Sequence, residues 1–428
     1  MAKIVFKKTK AQAEVFDDDI TSTIVFSGGL GSGKTYVLCN KMLKLSYINR
    51  GFSGGLLVPD YPSFRKDVQP TFDDIFQKNG IKYKFNRQEN AYYFPWNRKP
   101  LYIFTAEKPI AGPNLAYSGI NEYSLMKYDR IKEMTRRVRL KGAKCLQSVL
   151  AGTPEDVFGW LEEYKENMEK QNKERPNAFK IVYGSTKDNI YLSDHYLDDL
   201  RATLDEQALK VFTEGAIIKI GGNYFYYSFS REKNVSEQAI YQKGQMIHVG
   251  LDFNVGNMSA TFSHKIVNNG RAEQHFFEEL VLKGDSNTYT IAEAVIKRFP
   301  WEYQNGLLLV TCDASGSARK SSATEQLQSD VAILQSKKLR VRYKQVNPRL
   351  RERQLLMNGL FYHGVVKINP KCKELIKDFT QVMQEPKDFS KVKSDPNRTH
   401  LSDTADYVCD FEYDLPDRIR KPISTQGR

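Results

Sequence analysis

The first half of the chain alternates short apolar runs with stretches whose apolar residues recur every three or four positions. Thr23 to Phe26, Leu56 to Val58, Leu101 to Thr105, Leu115 to Ile120, Ser148 to Ala151 and Phe179 to Tyr183 read as strands. Lys34 to Tyr47 and Tyr61 to Phe76 carry the helical spacing, and Asp194 to Glu214 reads as one further helix. Lys82 to Phe94 looks like a hairpin insertion, and the highly charged stretch Glu162 to Arg175 like a solvated helix face or an exposed loop. Strands separated by helices predict a mainly parallel sheet covered on both faces.

The texture changes after Glu214. Gly215, Gly221 and Gly222 and the aromatic run NYFYYSF precede a fresh strand, Met246 to Asp252, followed by strands around Ser259 to Phe262 and Gln274 to Leu282. A helix from Thr290 to Phe299 and a strand from Gly306 to Cys312 come next. Strands first, then alternating helix and strand, predict a mixed sheet rather than a second copy of the first domain. The expected fold class is therefore α/β throughout, with domains at 1–215 and 243–414, a linker at 216–242 and a disordered Pro- and Arg-rich tail at 415–428.

Composition adds a partner and removes some classes. Lys and Arg number 64 against 51 Asp and Glu, a net charge of +13, which suits a polyanion such as nucleic acid or an anionic membrane surface. No apolar run approaches the roughly 18 residues needed to cross a bilayer, and MAKIVFKKTK lacks a signal-peptide core, so a soluble intracellular protein is expected. The 5 cysteines are scattered and form no CxxC pair, which argues against a disulfide framework or a zinc site.

The strongest chemical signal is Gly28-Gly-Leu-Gly31-Ser32-Gly33-Lys34-Thr35, between a strand and a helix. Its glycines let backbone N–H groups turn to phosphates, Lys34 supplies a cation near the β and γ phosphates, and the Thr35 hydroxyl is a natural Mg²⁺ ligand. That pattern predicts ATP binding. Hydrolysis needs a carboxylate to activate water, and Glu122, after the strand ending in Asn121, is the candidate. An Asp that supports the metal is usual where Asn121 stands. Thr153, in SVLAGTP, is placed to sense the γ-phosphate, and Gln12, in TKAQ, to meet adenine.

Three aspartates stand out in the second half. Asp252 lies in the strand HVGLDFN, Asp313 ends LLLVTCD, and Asp403 lies in HLSDTADYVCDF, where helical spacing puts His400, Asp403 and Asp406 on one side. Strand-end carboxylates with one more from a helix suit two Mg²⁺ or Mn²⁺ ions clamping a phosphodiester. Taken singly, each reads first as a strand-end turn residue or a helix cap, and the set gains weight only beside an ATPase directed at nucleic acid.

Together these motifs resemble the large terminase subunit of tailed double-stranded DNA bacteriophages. TKAQ, GGLGSGKT, YPSFRKDVQPTFDDIF, AGPNLAYSGINE and LAGTPED look like the family's ATPase motifs in the family's order. HVGLDFNVGN, VTCDASGS, FYHGVVKINPKCKELIKDF and HLSDTADYV look like its RNase H-like nuclease domain. The resemblance implies an ASCE-type P-loop ATPase joined to that nuclease. Lys34 and Thr35 would hold phosphate and Mg²⁺, Glu122 would activate water, Thr153 would couple hydrolysis to movement, Gln12 would contact adenine and Arg65 would touch phosphate. Asp252, Asp313 and Asp403, with His400 as an extra ligand, would hold the two nuclease metals.

The implied partners are double-stranded DNA, the portal protein of the procapsid and a small terminase subunit, with a homo-oligomeric ring on the portal and no membrane. The implied place of work is the host cytoplasm, transiently at the portal vertex and not in the mature virion. Two features depart from the family: Asn121 before the catalytic Glu, and Ala111 where an Arg often acts across the subunit contact. Lys108, Arg130, Arg136, Arg137 and Arg139 are the alternatives for that trans-acting cation. Rival readings are a DNA repair or recombination ATPase-nuclease, and a non-enzymatic ATP-gated adaptor.

Overall fold

Eight strands of the first half pair into one sheet: β1 (Thr23–Gly28), β2 (Gly54–Val58), β3 (Lys84–Asn86), β4 (Ala91–Phe94), β5 (Asn97–Thr105), β6 (Tyr117–Asn121), β7 (Gln147–Gly152) and β8 (Phe179–Gly184). They belong to a computed structural model that describes residues 7–155, 159–193, 195–218, 220–253, 257–268, 270–284, 286–317, 329–385, 390–392 and 398–416. The spatial order is β3-β4-β5-β2-β6-β7-β1-β8. From β5 to β8 every pairing is parallel, and the β3–β4–β5 edge is the antiparallel insertion expected from sequence.

Alternation along the strands loads both faces. Ile24 and Phe26 of β1 enter a cluster with Val37, Met42 and Phe72, while Val25 enters another with Leu57, Ile131 and Tyr164. The helices Lys34–Ile48 and Gln69–Asn79 thus cover one face, and Tyr128–Arg136 and Leu161–Glu174 the other. The charged stretch Glu162 to Arg175 is therefore a helix, with only Leu161 and Tyr164 buried.

One expected helix is two. Asp194 to Glu214 breaks between His195–Thr203 and Glu206–Glu214, and residue 194 lies outside the described residues. The break is made by Asp205, whose Oδ1 accepts hydrogen bonds from the N–H groups of Gln207 (2.9 Å) and Ala208 (3.1 Å) and so caps a new helix. Its Oδ2 accepts the Tyr227 hydroxyl at 2.8 Å. Both helices carry apolar faces, which is why their spacing reads as continuous.

The second half forms a mixed sheet from β9 (Ile247–Asp252), β10 (Asn257–Asn268), β11 (Arg271–Lys283), β12 (Leu308–Cys312), β13 (Arg340–Tyr343) and β14 (Val366–Ile368), ordered β13-β12-β9-β10-β11-β14. The strands expected at Ser259 to Phe262 and Gln274 to Leu282 are the middles of one long hairpin, β10–β11, whose outer positions are polar and so fall below an apolar-run reading. Between Asp313 and His400 the sequence reading assigned no element. The structure places the helices Asp330–Ser336, Leu350–Tyr362 and Lys373–Gln381 there, with β13 and β14.

The last helix, His400–Glu412, lies on β9. Gly250 permits this, because a Cβ there would stand 2.3 Å from the Thr404 carbonyl oxygen. The Thr261 and Thr404 hydroxyls pair at 2.8 Å beneath it, and Glu412 pins the far end to His248 (3.2 Å) and Lys265 (2.9 Å). Leu415, at the start of the expected tail, is buried, and 417–428 lie outside the described residues. Among the described residues no helix is long and apolar enough to cross a membrane.

Replacing Asp205 removes a cap and leaves the buried Tyr227 hydroxyl without its acceptor. Asp205→Ala is expected to lower unfolding free energy by about 2–3 kcal/mol in urea titration. A change under about 0.5 kcal/mol would show that the helix break does not depend on this carboxylate.

Candidate active sites

β1 runs into the phosphate-binding loop, and the helix Lys34–Ile48 leaves it. Gly33 sits at φ 79° at the helix N-cap, with no side-chain cap, so the first helical N–H groups face the loop. The loop is held from outside. Leu30 N–H donates to the Phe212 carbonyl (2.6 Å), the Thr186 hydroxyl to the Leu30 carbonyl (2.8 Å), and the Asn189 amide to the Gly31 carbonyl (2.5 Å). The Ser27 hydroxyl donates to the Gly215 carbonyl at 2.7 Å. Gln12 reaches the loop too, its Nε2 donating to the carbonyls of Ser32 (3.2 Å) and Gly33 (3.4 Å).

The catalytic candidates converge on this loop. Lys34 Nζ is buried, donates to the Gly29 carbonyl at 3.4 Å and stands 3.9 Å from Glu122 Oε1. The Thr35 hydroxyl donates to Asn121 Oδ1 at 3.3 Å, so the position that departs from the family pattern is in direct contact with the expected metal ligand. Glu122 is held at φ 54°, ψ 51°, where a non-glycine residue costs on the order of 1 kcal/mol, and its N–H donates to the Ala151 carbonyl at 2.7 Å.

Thr153, at the end of the neighbouring strand, has a buried hydroxyl with no hydrogen-bond partner among the described residues, as does Ser32. Buried hydroxyls of this kind are rare without a ligand or water to serve them. Arg65 is exposed on the π-helical turn Phe64–Val68, and its side chain makes no hydrogen bond among the described residues.

The cations considered for the subunit contact divide in two. Arg130 is bound to Glu133 (2.8 Å), Arg137 to the Gly112 carbonyl (2.6 Å) and Arg139 to Asn114 (2.9 Å). Lys108 and Arg136 are exposed, and their side chains make no hydrogen bond among the described residues.

The acidic residues of the second half also converge. Parallel pairing aligns Cys312 with Leu251, so Asp313 leaves the sheet beside Asp252. The helix seated over Gly250 then brings His400 Nδ1 to 3.1 Å from Asp252 Oδ2. Asp403, one turn on, is bound by Lys391 Nζ (2.8 Å) and Arg353 Nη1 (3.4 Å) through Oδ1. The same two cations meet Asp406 Oδ2 at 2.9 and 3.9 Å, and the Tyr226 hydroxyl donates to that carboxylate. Asp313 accepts from the Ser315 hydroxyl (2.7 Å) and Gly316 N–H (3.1 Å).

Burial, with Asp403 and Asp313 adding negative charge, pushes the Asp252 carboxyl above the usual range against the pull of His400. Burial acts on Asp403 in the same direction, but Lys391 and Arg353 outweigh it and hold that carboxyl below the usual range. Burial, then the charges of Asp403, Asp252 and Asp313, raises the Tyr407 phenol.

Carboxylates and an imidazole are the right donors for Mg²⁺ or Mn²⁺. Among the described residues no three His, Cys, Asp or Glu side chains stand together as a ready-made metal centre. Asp252 and His400 are in contact, and Asp403 is already engaged by Lys391 and Arg353.

Sequence reading missed Thr186, Asn189 and Phe212 around the loop, and Lys391, Arg353 and Tyr226 around Asp403. Only Asn189, in a DNIY turn after a strand, carried a local signal.

No protein-family model and no curated protein matches the sequence. The fold does match solved structures. The large terminase of a thermophilic bacteriophage, in one crystal form, aligns over 95% of this chain and 99% of its own at 15% identity, with a TM-score of 0.62. The same terminase in complex with ATP-gamma-S aligns over 94% of this chain and 98% of its own at 16% identity, with a TM-score of 0.60. Its complex with ADP gives the same coverage at 15% identity and a TM-score of 0.59. At this identity the likeness establishes the fold: this chain has the α/β two-sheet architecture of a large terminase, as the motif order led one to expect.

Asp378 lies under the start of the helix that carries Asp403, accepting the Ser402 N–H at 3.2 Å, with Arg398 at 3.5 Å. Burial raises its carboxyl to about 6. The folded chain then binds the proton more tightly than the unfolded chain, whose value is about 3.9. This contribution to stability is fully present below about pH 4 and lost as pH rises through about 6. Asp378→Asn is expected to be more stable than wild type at pH 7 by about 2 kcal/mol, with the gap closing towards pH 4 in urea titrations. An equal gap at both pH values would show that Asp378 is ionised throughout.

Proposed function

We propose that the chain is a phage DNA-packaging subunit of the large-terminase kind, an ATP-driven motor joined to a DNA-cutting domain. The observation that carries this is the coexistence, on one terminase-like fold, of Lys34–Thr35 set against Asn121–Glu122 and Asp252–His400 set against Asp313 and Asp403. On this reading residues 1–215 are the ATPase, 216–242 the linker and 243–414 the nuclease. The partners are double-stranded DNA, a portal and a small subunit, met in the host cytoplasm at the procapsid.

In the ATPase site Lys34 exchanges the Gly29 carbonyl for phosphate oxygens, and the helix N-terminus receives the anion. Thr35, oriented by Asn121, would hold the Mg²⁺ that accompanies ATP. The strained Glu122 faces the same space and would orient and deprotonate the attacking water. The Thr153 hydroxyl, between the loop and the 3₁₀ turn after Glu122, is suited to report the γ-phosphate. Gln12 acts through the loop backbone as well as on adenine. In the nuclease site a divalent ion would polarise the scissile phosphate and supply hydroxide, with Asp252 fixed by His400 and Asp313 by its own turn. The net charge of +13 suits a grip on phosphates that reads no sequence.

Two separate sites predict separable losses. Lys34→Ala should abolish ATP turnover while leaving Mn²⁺-dependent plasmid nicking within about threefold, and Asp252→Ala should do the reverse. Loss of both activities in a folded Lys34→Ala protein would overturn the two-site account.

The trans-acting cation must be one not already held within its own subunit. Arg136→Ala or Lys108→Ala should cut ATPase on assembled portal complexes by at least about 10³-fold and leave the basal rate of isolated chains unchanged. Activity that survives both substitutions, but not Arg130→Ala, would assign the role elsewhere.

A further inference from the structure

The turn after β8 carries a tyrosine that the core does not use. Asn189, Ile190, Tyr191 and Leu192 follow the 3₁₀ turn Thr186–Asp188, and this stretch is fastened to the phosphate-binding loop again and again. The Thr186 hydroxyl donates to the Leu30 carbonyl at 2.8 Å, and the Asn189 amide to the Gly31 carbonyl at 2.5 Å. The Leu192 side chain lies over Gly31, where a Cβ would stand 2.8 Å from its Cδ1. Asn189 Oδ1 also accepts the Tyr191 N–H at 3.1 Å, which fixes the turn itself. Yet Ile190 and Tyr191 are 78% and 77% exposed. These attachments hold, beside the nucleotide loop, an aromatic ring that the core leaves in solvent.

A bound nucleotide has a base to be held, and Gln12 is largely spent within the chain. Its Oε1 accepts the Thr9 N–H at 3.0 Å, and its Nε2 donates to the Ser32 and Gly33 carbonyls at 3.2 and 3.4 Å. What Gln12 can still offer the edge of a base is one lone pair of Oε1. A base held at that edge alone would keep both of its π faces in water. Stacking one face on an aromatic ring strengthens binding by roughly 5- to 150-fold.

We propose that Tyr191 is the stacking platform for the nucleobase of ATP. Asn189 and Leu192 position it from the loop, the ring covers one face of the base, and Gln12 meets the edge. Every base has a π face, so Tyr191 adds affinity rather than a choice between bases. This rests on the ATPase reading above and names the group that holds the base at that site.

The test compares ATP-γ-S with tripolyphosphate, which can fill the loop but has no base. Both are titrated calorimetrically into full-length protein with Mg²⁺. Tyr191 is exposed, so its substitutions leave the core intact. Tyr191→Ala is expected to weaken ATP-γ-S about tenfold and tripolyphosphate by less than about twofold. Tyr191→Phe keeps the ring and should restore the wild-type Kd for ATP-γ-S. An unchanged Kd in Tyr191→Ala overturns the proposal. An equal loss of tripolyphosphate overturns it too, because the effect would then lie in the loop. If Tyr191→Phe binds as weakly as Tyr191→Ala, the hydroxyl and not the ring is responsible, and stacking falls. If wild type binds neither ligand, the ATPase reading falls and the proposal with it. If wild type binds both and Tyr191→Ala matches it, only the stack falls.

Discussion

Leu30, at the tip of the phosphate loop, and Leu401, Ala405 and Val408, on the helix that carries Asp403, are buried in the same apolar cluster. Tyr196, Leu200, Val211 and Phe212 lie between them, from the two helices that Asp205 separates. Such a cluster is close-packed, so a displacement at one edge is passed on rather than absorbed. The loop is tied to it twice, by the Leu30 side chain and by the Leu30 N–H on Phe212. A displacement of the loop would therefore act on the helices 195–203 and 206–214 directly. Those helices pack on Phe361 and Leu356 of the second half, where Gly359 approaches the Thr203 carbonyl. The two proposed sites thus hang from one core.

Both sites also solve the same electrostatic problem in the same manner. A buried cation or carboxylate is costly unless a partner of the chain neutralises it. Lys34 rests on the Gly29 carbonyl and near Glu122, and Lys391 on Asp403 and Asp406. In each the lysine is fixed before any ligand arrives. The difference lies in the contacts: the Lys34–Glu122 pair is 3.9 Å apart, whereas Lys391 lies 2.8 and 2.9 Å from Asp403 and Asp406 and is closed in by Tyr226 and Phe225. Lys34 can therefore turn to phosphate, whereas Lys391 is locked to its carboxylates.

What could be read from the sequence follows from range. The strands of the first sheet and the phosphate loop are written in local signals: apolar runs, a glycine pattern, a helix that follows. Asp252, Asp313 and Asp403 were legible as strand-end or helical acids, but their relation was not, because it depends on the Cys312–Leu251 register and on Gly250 lying under Thr404. The single helix expected from Asp194 to Glu214 failed for a local reason, a capping Asp inside a continuous apolar pattern. Lys391 failed for a distant one. Its partner Tyr226 is 165 positions away, and in its own segment it is one lysine among several.

Asn121 can be argued in the same terms. It is 1% exposed, and its amide oxygen receives the Thr35 hydroxyl. An Asp there would place a second buried carboxylate beside Glu122, with Lys34 the cation that the structure sets against them. With Asn121 the site sets the Lys34 ammonium against the Glu122 carboxylate, 3.9 Å apart. The departure from the family pattern then has a physical reason: Asn121 keeps the hydrogen bond that orients Thr35 and omits a charge that the empty site could not neutralise.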